Sequence, residues 1–270
     1  MLRTAAAYFE KESIDAFGLL PLSAVRVFRP ELFERQTPIF PRSVLVFLVP
    51  YYTGPSENLS LYAVSRDYHL YMKRMTAGLL EALSAAHPEA KFVSFSDHSP
   101  IDERHAAAAA GLGILGDNGL LIHPRYGSLV FIGEIFSDLE APADTPVFPV
   151  RTCEHCGACR RACPTGALEL RGDCLSELTQ RKGDLPEEAF RLMRHHRTVW
   201  GCDLCQTACP HTRRAISVGA VTPIAFFHEA RIPHLTLDVL DSMSAEEFKS
   251  RAFAWRGRAT IERNLRAYEG

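Results

Sequence analysis

The sequence predicts an α/β (α+β) domain with a mixed sheet, followed by a small cysteine-rich domain of the bacterial-ferredoxin type. Three observations carry this expectation. Apolar runs rich in β-branched and aromatic residues alternate with segments of helical period over the first part of the chain. A stretch with three prolines and no periodicity follows, LEAPADTPVFPVRT from Leu139 to Thr152. All eight cysteines then fall between Cys153 and Cys209. The expected division is 1–138 for the α/β domain, 139–152 for a linker, 153–215 for the cysteine-rich domain and 216–270 for a short helical segment.

Four runs read as strands because turn residues bound them: SVLVFLVPYY (Ser43 to Tyr52), KFVSF (Lys91 to Phe95), GLLIH (Gly119 to His123) and SLVFIGEIF (Ser128 to Phe136). Between the first two, Val64, Tyr68, Tyr71, Met75, Leu79 and Leu83 recur every three or four residues, which predicts an amphipathic helix capped by Asn58 or Ser60. On this reading Arg66, Asp67 and His69 lie in that helix, off its apolar stripe. A second helix is expected over Glu103 to Ala110. Ser244 and Glu247 have capping-box spacing and predict a helix running to about Trp255, with another in the tail RGRATIERNLRAY. The strand order is not readable from periodicity.

The cysteines carry the chemistry. CEHCGACRRACP has the CxxCxxCxxxCP spacing in which three thiolates hold one cubane and the fourth reaches its neighbour. GCDLCQTACP lacks the middle cysteine, a gap that Cys174 fills if the intervening segment folds back. The spacing therefore predicts two 4Fe-4S clusters: Cys153, Cys156, Cys159 and Cys209 for the first, Cys163, Cys174, Cys202 and Cys205 for the second. Disulfides and structural zinc explain less. No secretory signal or membrane span is evident, which predicts a cytoplasmic chain with reduced thiols, and zinc sites have no use for the crossing CP pattern. His155, His195, His196 and His211 flank the cysteines, but eight thiols already suffice.

Charge excludes little. The net value is −2, and Lys plus Arg against Asp plus Glu gives 12 − 17 = −5 for residues 1–150 and 18 − 15 = +3 for 151–270. An asymmetry so mild does not argue for nucleic acid, and the tail arginines, interleaved with Glu262 and Glu269, read as a solvated helical face.

Outside the cysteines, SDHSPIDERHAAAAAGLGILGDNGLLIHPRYGSLVFIGEI packs turn-forming, titratable and small residues between expected strands. Asp97 closes the KFVSF strand, at the strand end where α/β proteins collect ligands. Its alternative is to cap a turn or the next helix. GLGILG has dinucleotide-loop spacing, but it follows a helix where such a loop must follow a strand, so its glycines read as tight turns or close backbone approach to a flat ligand.

These blocks, in this order, resemble the epoxyqueuosine reductases: YAVSRDYH (Tyr62 to His69), the SDHSPIDER stretch, the first cysteine run, CLSELTQRKG (Cys174 to Gly183) and GCDLCQTACP. The resemblance implies a cobalamin, as cob(II)alamin, in the N-terminal domain with its cobalt facing the first cluster. It implies a two-electron deoxygenation of epoxyqueuosine to queuosine in tRNA, with electrons from an external low-potential donor. Asp97 stands where the family's proton donor stands, with Pro100, Glu103 and Arg104 keeping that block. Ser176 and Lys182, and as a region Arg66, Asp67, Tyr68, His69, Asn118 and Leu121, stand where the family contacts its corrinoid. Two departures are visible. Asp102 occupies a position that is usually apolar, and the sequence ends at Gly270, before the helical repeats that grip tRNA in longer members. Such a member is expected to dock tRNA through its basic tail, to recruit a second subunit, or to act on another molecule. Two other classes fit the motifs: a corrinoid reductase resembling reductive dehalogenases, and a two-cluster ferredoxin-type electron carrier.

Overall fold

The computed structural model describes residues 1–36, 39–170 and 172–270. The chain forms two compact units, Met1–Pro50 with Tyr71–His155, and Tyr51–Leu70 with Cys156–Gly270. This differs from the contiguous division expected above, and backbone pairing is the reason. Residues 51–70 are sewn into the second unit by Val199 N to Asn58 O (2.8 Å), Ser60 N to Trp200 O (2.8 Å), Ile232 N to Val64 O (2.8 Å) and Asp67 N to Ser250 O (2.7 Å). The supposed linker is pinned to the first unit by Phe148 N to Ala109 O (2.8 Å) and Leu115 N to Arg151 O (2.9 Å).

The first unit contains, in chain order, α1 (Leu2–Lys11), β1 (Phe17–Pro21), α2 (Glu31–Gln36), β2 (Ser43–Pro50), most of α3 (Tyr68–Ala86), β3 (Phe92–Ser96), α4 (Glu103–Ala109), β4 (Ile114–Leu115), β5 (Leu121–Ile122) and β6 (Val130–Ser137). Four strands make a sheet in the order β1-β2-β6-β3. The expected sheet was mixed, yet every neighbouring pair is antiparallel. Ser43 of β2 and Phe92 of β3 both pair with Ser137, so β2 and β3 run the same way, joined by the α3 crossover, with β6 inserted between them. β6 thus lies between two strands that run the same way, each paired to it antiparallel. GLLIH does not join this sheet; its Leu121 and Ile122 pair with β4 in a separate short ribbon. β1, a five-residue run ending in proline, is a strand that the sequence reading did not assign.

All eight residues of β2 are buried, as a strand with neighbours on both edges and cover on both faces requires. Val44, Val46 and Leu48 meet Val93, Phe95 and Phe136 in one core cluster, which Phe33 and the four buried alanines Ala106–Ala109 of α4 complete. Alanine's small side chain lets α4 lie close to the sheet.

α3 begins at Tyr68, four residues later than the apolar period from Val64 suggests. Arg66 and Asp67 therefore precede the helix. Neither Asn58 nor Ser60 caps it: Asn58 is buried and exchanges two hydrogen bonds with Leu235, and Ser60 donates to Asp203.

The second unit is built from short helices: α5 (Ala158–Ala162), α6 (Ala167–Leu170), α7 (Leu175–Gln180), α8 (Glu187–His195), α9 (Leu204–Thr207), α10 (Pro210–Ser217), α11 (Ala225–His228), α12 (Leu237–Ser242), α13 (Ala245–Lys249) and α14 (Arg258–Glu269). The Ser244–Glu247 capping box forms, but α13 stops at Lys249 rather than near Trp255. Arg251 takes an extended conformation (φ −96°, ψ 145°) to bridge Arg66, and no helix passes through such a residue. The tail forms α14 as expected. Its Arg258 pairs with Asp241, its Arg266 with Glu262, and its Arg263 donates to the carbonyls of Arg181 and Gly183. Among the described residues, no helix is long and apolar enough to cross a membrane.

α14 also carries the polar tie that sets the cysteine loops. Fully buried Asn264 donates from Nδ2 to Thr179 O (2.7 Å) on α7 and to Val199 O (2.8 Å), beside a core of Trp200, Leu240, Phe253, Ile261 and Leu265. Replacing it by alanine strands two buried carbonyls. Asn264→Ala is expected to lower stability by about 2–4 kcal/mol, read as a fall in thermal midpoint by circular dichroism.

Candidate active site and thiol sets

The loop after β3 builds a cleft of 340 Å³ in the first unit. Asp97 follows the last residue of β3 in a left-handed conformation (φ 65°), which an aspartate tolerates better than most residues. It lines the cleft with Arg29, Ser99, Asp102, Glu103 and Arg104. Capping α4 is not its task. Asp102 is the N-cap, its Oδ1 accepting from His105 N at 3.3 Å, and that accounts for an acid at a position where the resembling family carries an apolar residue. Arg104 donates to Gly119 O (2.7 Å) and to Asp102 (3.3 Å), tying α4 to the turn after the GLGILG segment. Those glycines make close turns: a Cβ on Gly113 would stand 2.5 Å from Ile122 O.

Two further carboxyls bear on this cleft, Glu103 on its lining and Glu134 behind Ser99. Glu103 Oε2 is buried without a hydrogen-bond partner among the described residues, and burial followed by the charge of Asp97 pushes its pKa to about 7. Glu134 lies on β6, opposite Val46 and Phe95, and is fully buried on the apolar face of the sheet. One of its oxygens accepts from Ser99 Oγ, which in turn accepts from Ile101 N at 3.1 Å; the other, Oε1, is buried with no hydrogen-bond partner among the described residues. Burial pushes the Glu134 pKa to about 8 against the opposing hydrogen bond from Ser99. The sequence reading left Glu134 unremarked. The available signal was one acidic residue at an inward register of an otherwise apolar strand.

All eight cysteines are free thiols. Cys153 falls in the first unit and the other seven in the second. Cys153 N donates to Leu115 O (2.9 Å), and its sulfur lies in a group with Asp117 and His155 whose donor atoms are all within 4.8 Å of one another. Within that group His155 Nδ1 is 2.7 Å from Asp117 Oδ1. In the second unit, Cys159 on α5 and Cys209, the N-cap of α10, are buried; Cys163 ends α5 and Cys174 is the N-cap of α7. Burial first, then the charges of Asp203, Cys174 and Cys163, raise Cys202 to about 11, and burial first, then Cys202, Cys174, Asp203 and Cys163, raise Cys205 to about 12. Cys163, Cys174, Cys202 and Cys205 are thus brought close enough to feel one another's charge. Four thiols outside any disulfide and in mutual electrostatic range suit a tetrahedral thiolate ligand set. Gly201, just before Cys202, has φ 74°, and a Cβ there would stand 2.4 Å from Ser60 Cβ, so this turn requires glycine. Asp203, between the two cysteines of CDLC, accepts from Ser60 Oγ (2.7 Å), Leu61 N (2.6 Å) and Gln206 Nε2 (2.9 Å).

The expected corrinoid contacts divide between the units, Asn118 and Leu121 in the first and Arg66, Asp67, Tyr68, His69, Ser176 and Lys182 in the second. Arg66 pairs with Glu229 and lies over the Phe226 ring at 4.7 Å. Asp67 Oδ1 accepts from His69 N (3.0 Å) and faces its Nδ1 (2.8 Å); Tyr68 is buried beside the His69 ring. Asn118 Oδ1 accepts from Leu120 N (3.3 Å) and Ser176 Oγ from Gln180 Nε2 (3.1 Å), while Lys182 is exposed. Local bonds thus orient Arg66, Asp67, Asn118 and Ser176, each within its own unit. Leu121, with its side chain in the core, offers only its backbone.

The cleft carboxyls make stability depend on pH. Glu103 and Glu134 hold protons more tightly folded, at about 7 and about 8, than at their ordinary value of 4.5, so the folded state binds more protons than the unfolded one above that value. Stability is therefore greatest below 4.5 with respect to these groups and falls as pH rises toward 8. Thermal melts across this range are expected to show that fall, and Glu134→Gln is expected to flatten it.

Residues 152–212 match the family model of the 4Fe-4S double cluster binding domain. The chain is 37% identical over 224 residues to an epoxyqueuosine reductase of Gloeobacter violaceus, an alignment covering 77% of this chain and 68% of that protein. It is 34% identical over 212 residues to one of Listeria monocytogenes, covering 73% of this chain and 53% of the relative. The aligned part thus spans between about half and two-thirds of these relatives' length. Its fold is that of a crystal structure of epoxyqueuosine reductase with an epoxyqueuosine-modified tRNA-Tyr stem loop, with a TM-score of 0.78, 24% identity, and coverage of 99% of this chain and 80% of that one. An α/β sheet domain joined to a 4Fe-4S double-cluster domain, with this degree of identity through both, places the chain in the epoxyqueuosine reductase family.

Proposed function

We propose that this chain is a cobalamin- and iron–sulfur-dependent reductase that removes the epoxide oxygen of epoxyqueuosine in tRNA, with Asp97 as the proton donor. The observation that carries the reading is the placement of Asp97, at the family's proton-donor position, in a cleft where burial and the charge of Asp97 raise the pKa of neighbouring Glu103 to about 7. The relatives' name and the modified stem loop in the related crystal structure support the choice of substrate.

The overall change takes two electrons and two protons, breaks both carbon–oxygen bonds of the epoxide, forms the alkene and releases water. Bound cobalamin would supply a low-valent cobalt for bond making and breaking at carbon, and the two clusters would deliver electrons one at a time from an external low-potential donor. Asp97 gives its carboxylic proton to the departing oxygen. Arg29 and Arg104, on the same cleft, oppose the negative charge left behind. Cys153, Cys156, Cys159 and Cys209 would hold the first cluster, and Cys163, Cys174, Cys202 and Cys205 the second; the mutual proximity of the latter four supports that set. Arg66, Asp67, Tyr68, His69, Asn118, Ser176, Lys182 and the backbone at Leu121 would hold the corrinoid.

Protein purified without oxygen and reconstituted with iron and sulfide is expected to carry about eight irons per chain and to retain added hydroxocobalamin as a base-off cob(II)alamin signal in paramagnetic resonance. Eight irons without retained corrinoid would instead favour a two-cluster electron carrier. In the reconstituted protein, Asp97→Asn is expected to lose roughly 10²–10⁴-fold in turnover on epoxyqueuosine tRNA while keeping irons and corrinoid; full turnover would remove its role as donor. Cys209→Ala is expected to damage the first cluster, and a loss confined to the second would break the crossed assignment.

A further inference from the structure

We propose that Glu103 and Glu134 form a proton store behind Asp97, two carboxylic acids that refill it across the cleft during each reduction. The inference rests on the reading of Asp97 as donor and extends it. Deoxygenation of one epoxide puts two protons on the departing oxygen, whereas one carboxyl group carries one. A second proton must therefore reach Asp97 while the substrate occupies the cleft and excludes water.

The geometry supplies a source. Asp97, Ser99 and Glu103 line the same 340 Å³ cleft. Ser99 Oγ bonds directly to Glu134, so the fully buried acid reaches the cleft through a hydroxyl that can accept and donate in turn. Glu103 Oε2 and Glu134 Oε1 are both buried and without hydrogen-bond partners among the described residues. Unpaired buried oxygens would be costly on two carboxylates; they are tolerable on neutral acids. Glu103 feels the charge of Asp97, and Glu134 that of Glu103, so removing a proton from one member changes the hold of the next.

The other charged groups acting here are Arg29, Asp102 and Arg104, with His98 Nδ1 3.1 Å from Arg29 Nη1. The strands flanking Glu134 present Val46 and Phe95, which do not titrate. Proton balance is simple. Asp97 gives one proton to oxygen, its carboxylate takes one from Glu103, and Glu103 takes one from Glu134, directly or through Ser99. The oxygen then receives its second proton from Asp97. The two electrons come from the external donor through the clusters. Both glutamates act through Asp97, as positioning residues for the proton that it delivers.

Infrared titration of the reconstituted protein tests the store without substrate. The carboxylic-acid C=O absorption is expected to disappear in two steps, near about 7 and about 8. Glu134→Gln should remove the upper step, and Asp97→Asn should shift the lower step downward by removing a neighbouring negative charge. Turnover on epoxyqueuosine tRNA gives the second readout. Glu134→Gln still accepts from Ser99 and preserves the loop, but is expected to slow turnover roughly tenfold or more above neutrality, with recovery at lower pH. Ser99→Ala, which breaks the tie itself, should slow turnover at every pH. An infrared titration unchanged in Glu134→Gln, or a Glu134→Gln turnover that follows the parent protein across the pH range, would overturn the store and leave Glu134 as a loop anchor. If the parent protein does not reduce epoxyqueuosine, the proposed substrate fails, while the two infrared steps and their dependence on Asp97 still decide whether the acids hold and share protons.

Discussion

A carboxyl group enclosed by aliphatic and aromatic side chains must be neutral or paired, and Glu134 imposes that constraint on the first unit. It occupies an inward position of β6 between two strands whose facing residues are Val46 and Phe95. Its hydroxyl partner is Ser99, and that bond fixes the loop leaving β3. Asp97 opens this loop in a left-handed conformation, and Asp102 closes it as the N-cap of α4. The position of the candidate catalytic acid is thus set by a buried acid two strands into the sheet. Burial raises the pKa of both Glu103 and Glu134, and the charge of Asp97 adds to the rise at Glu103, so the arrangement that positions Asp97 also keeps protons near it.

The second unit solves a different problem. Thiols spaced two or three residues apart must converge, which leaves no room for long helices, and the segments holding them are helices of four to six residues joined by turns. Such segments cannot stand on their own hydrogen bonds. Hydrogen bonds from polar side chains hold them instead: Asn58 on Leu235, Asn264 on Thr179 and Val199, and Asp203 on Ser60 and Leu61. Each joins segments distant in sequence, and each sits where a cysteine loop needs a fixed backbone. The resulting scaffold holds Cys163, Cys174, Cys202 and Cys205 within electrostatic reach of one another.

Segment 51–70 shows how local pattern can mislead about organisation. Its apolar residues keep helical period with those of α3, yet Leu59, Ala63 and Val64 pack with Trp200 and Phe253, and α3 starts only at Tyr68. Likewise the proline-rich stretch 139–152 looks like a free connector, but two backbone hydrogen bonds fasten it beside α4 and β4. Periodicity reports which residues are apolar on one side, without naming the partner that covers them.

The amino-acid sequence by itself determined what depends on near neighbours: the β2 and β6 strands, the α4 and α14 helices, the capping box at Ser244, and the cysteine spacing that a double 4Fe-4S domain requires. It also pointed to Asp97, because strand ends and an ordered family block are both local signals. Tertiary structure alone decided the insertion of β6 between β2 and β3, the membership of residues 51–70 in the second unit, and the recruitment of Glu134 to the cleft. Each of these rests on pairing between residues tens of positions apart. Whether a single acid in an apolar strand points to solvent or to a serine on another loop is settled only by the register of the sheet and by what packs above it.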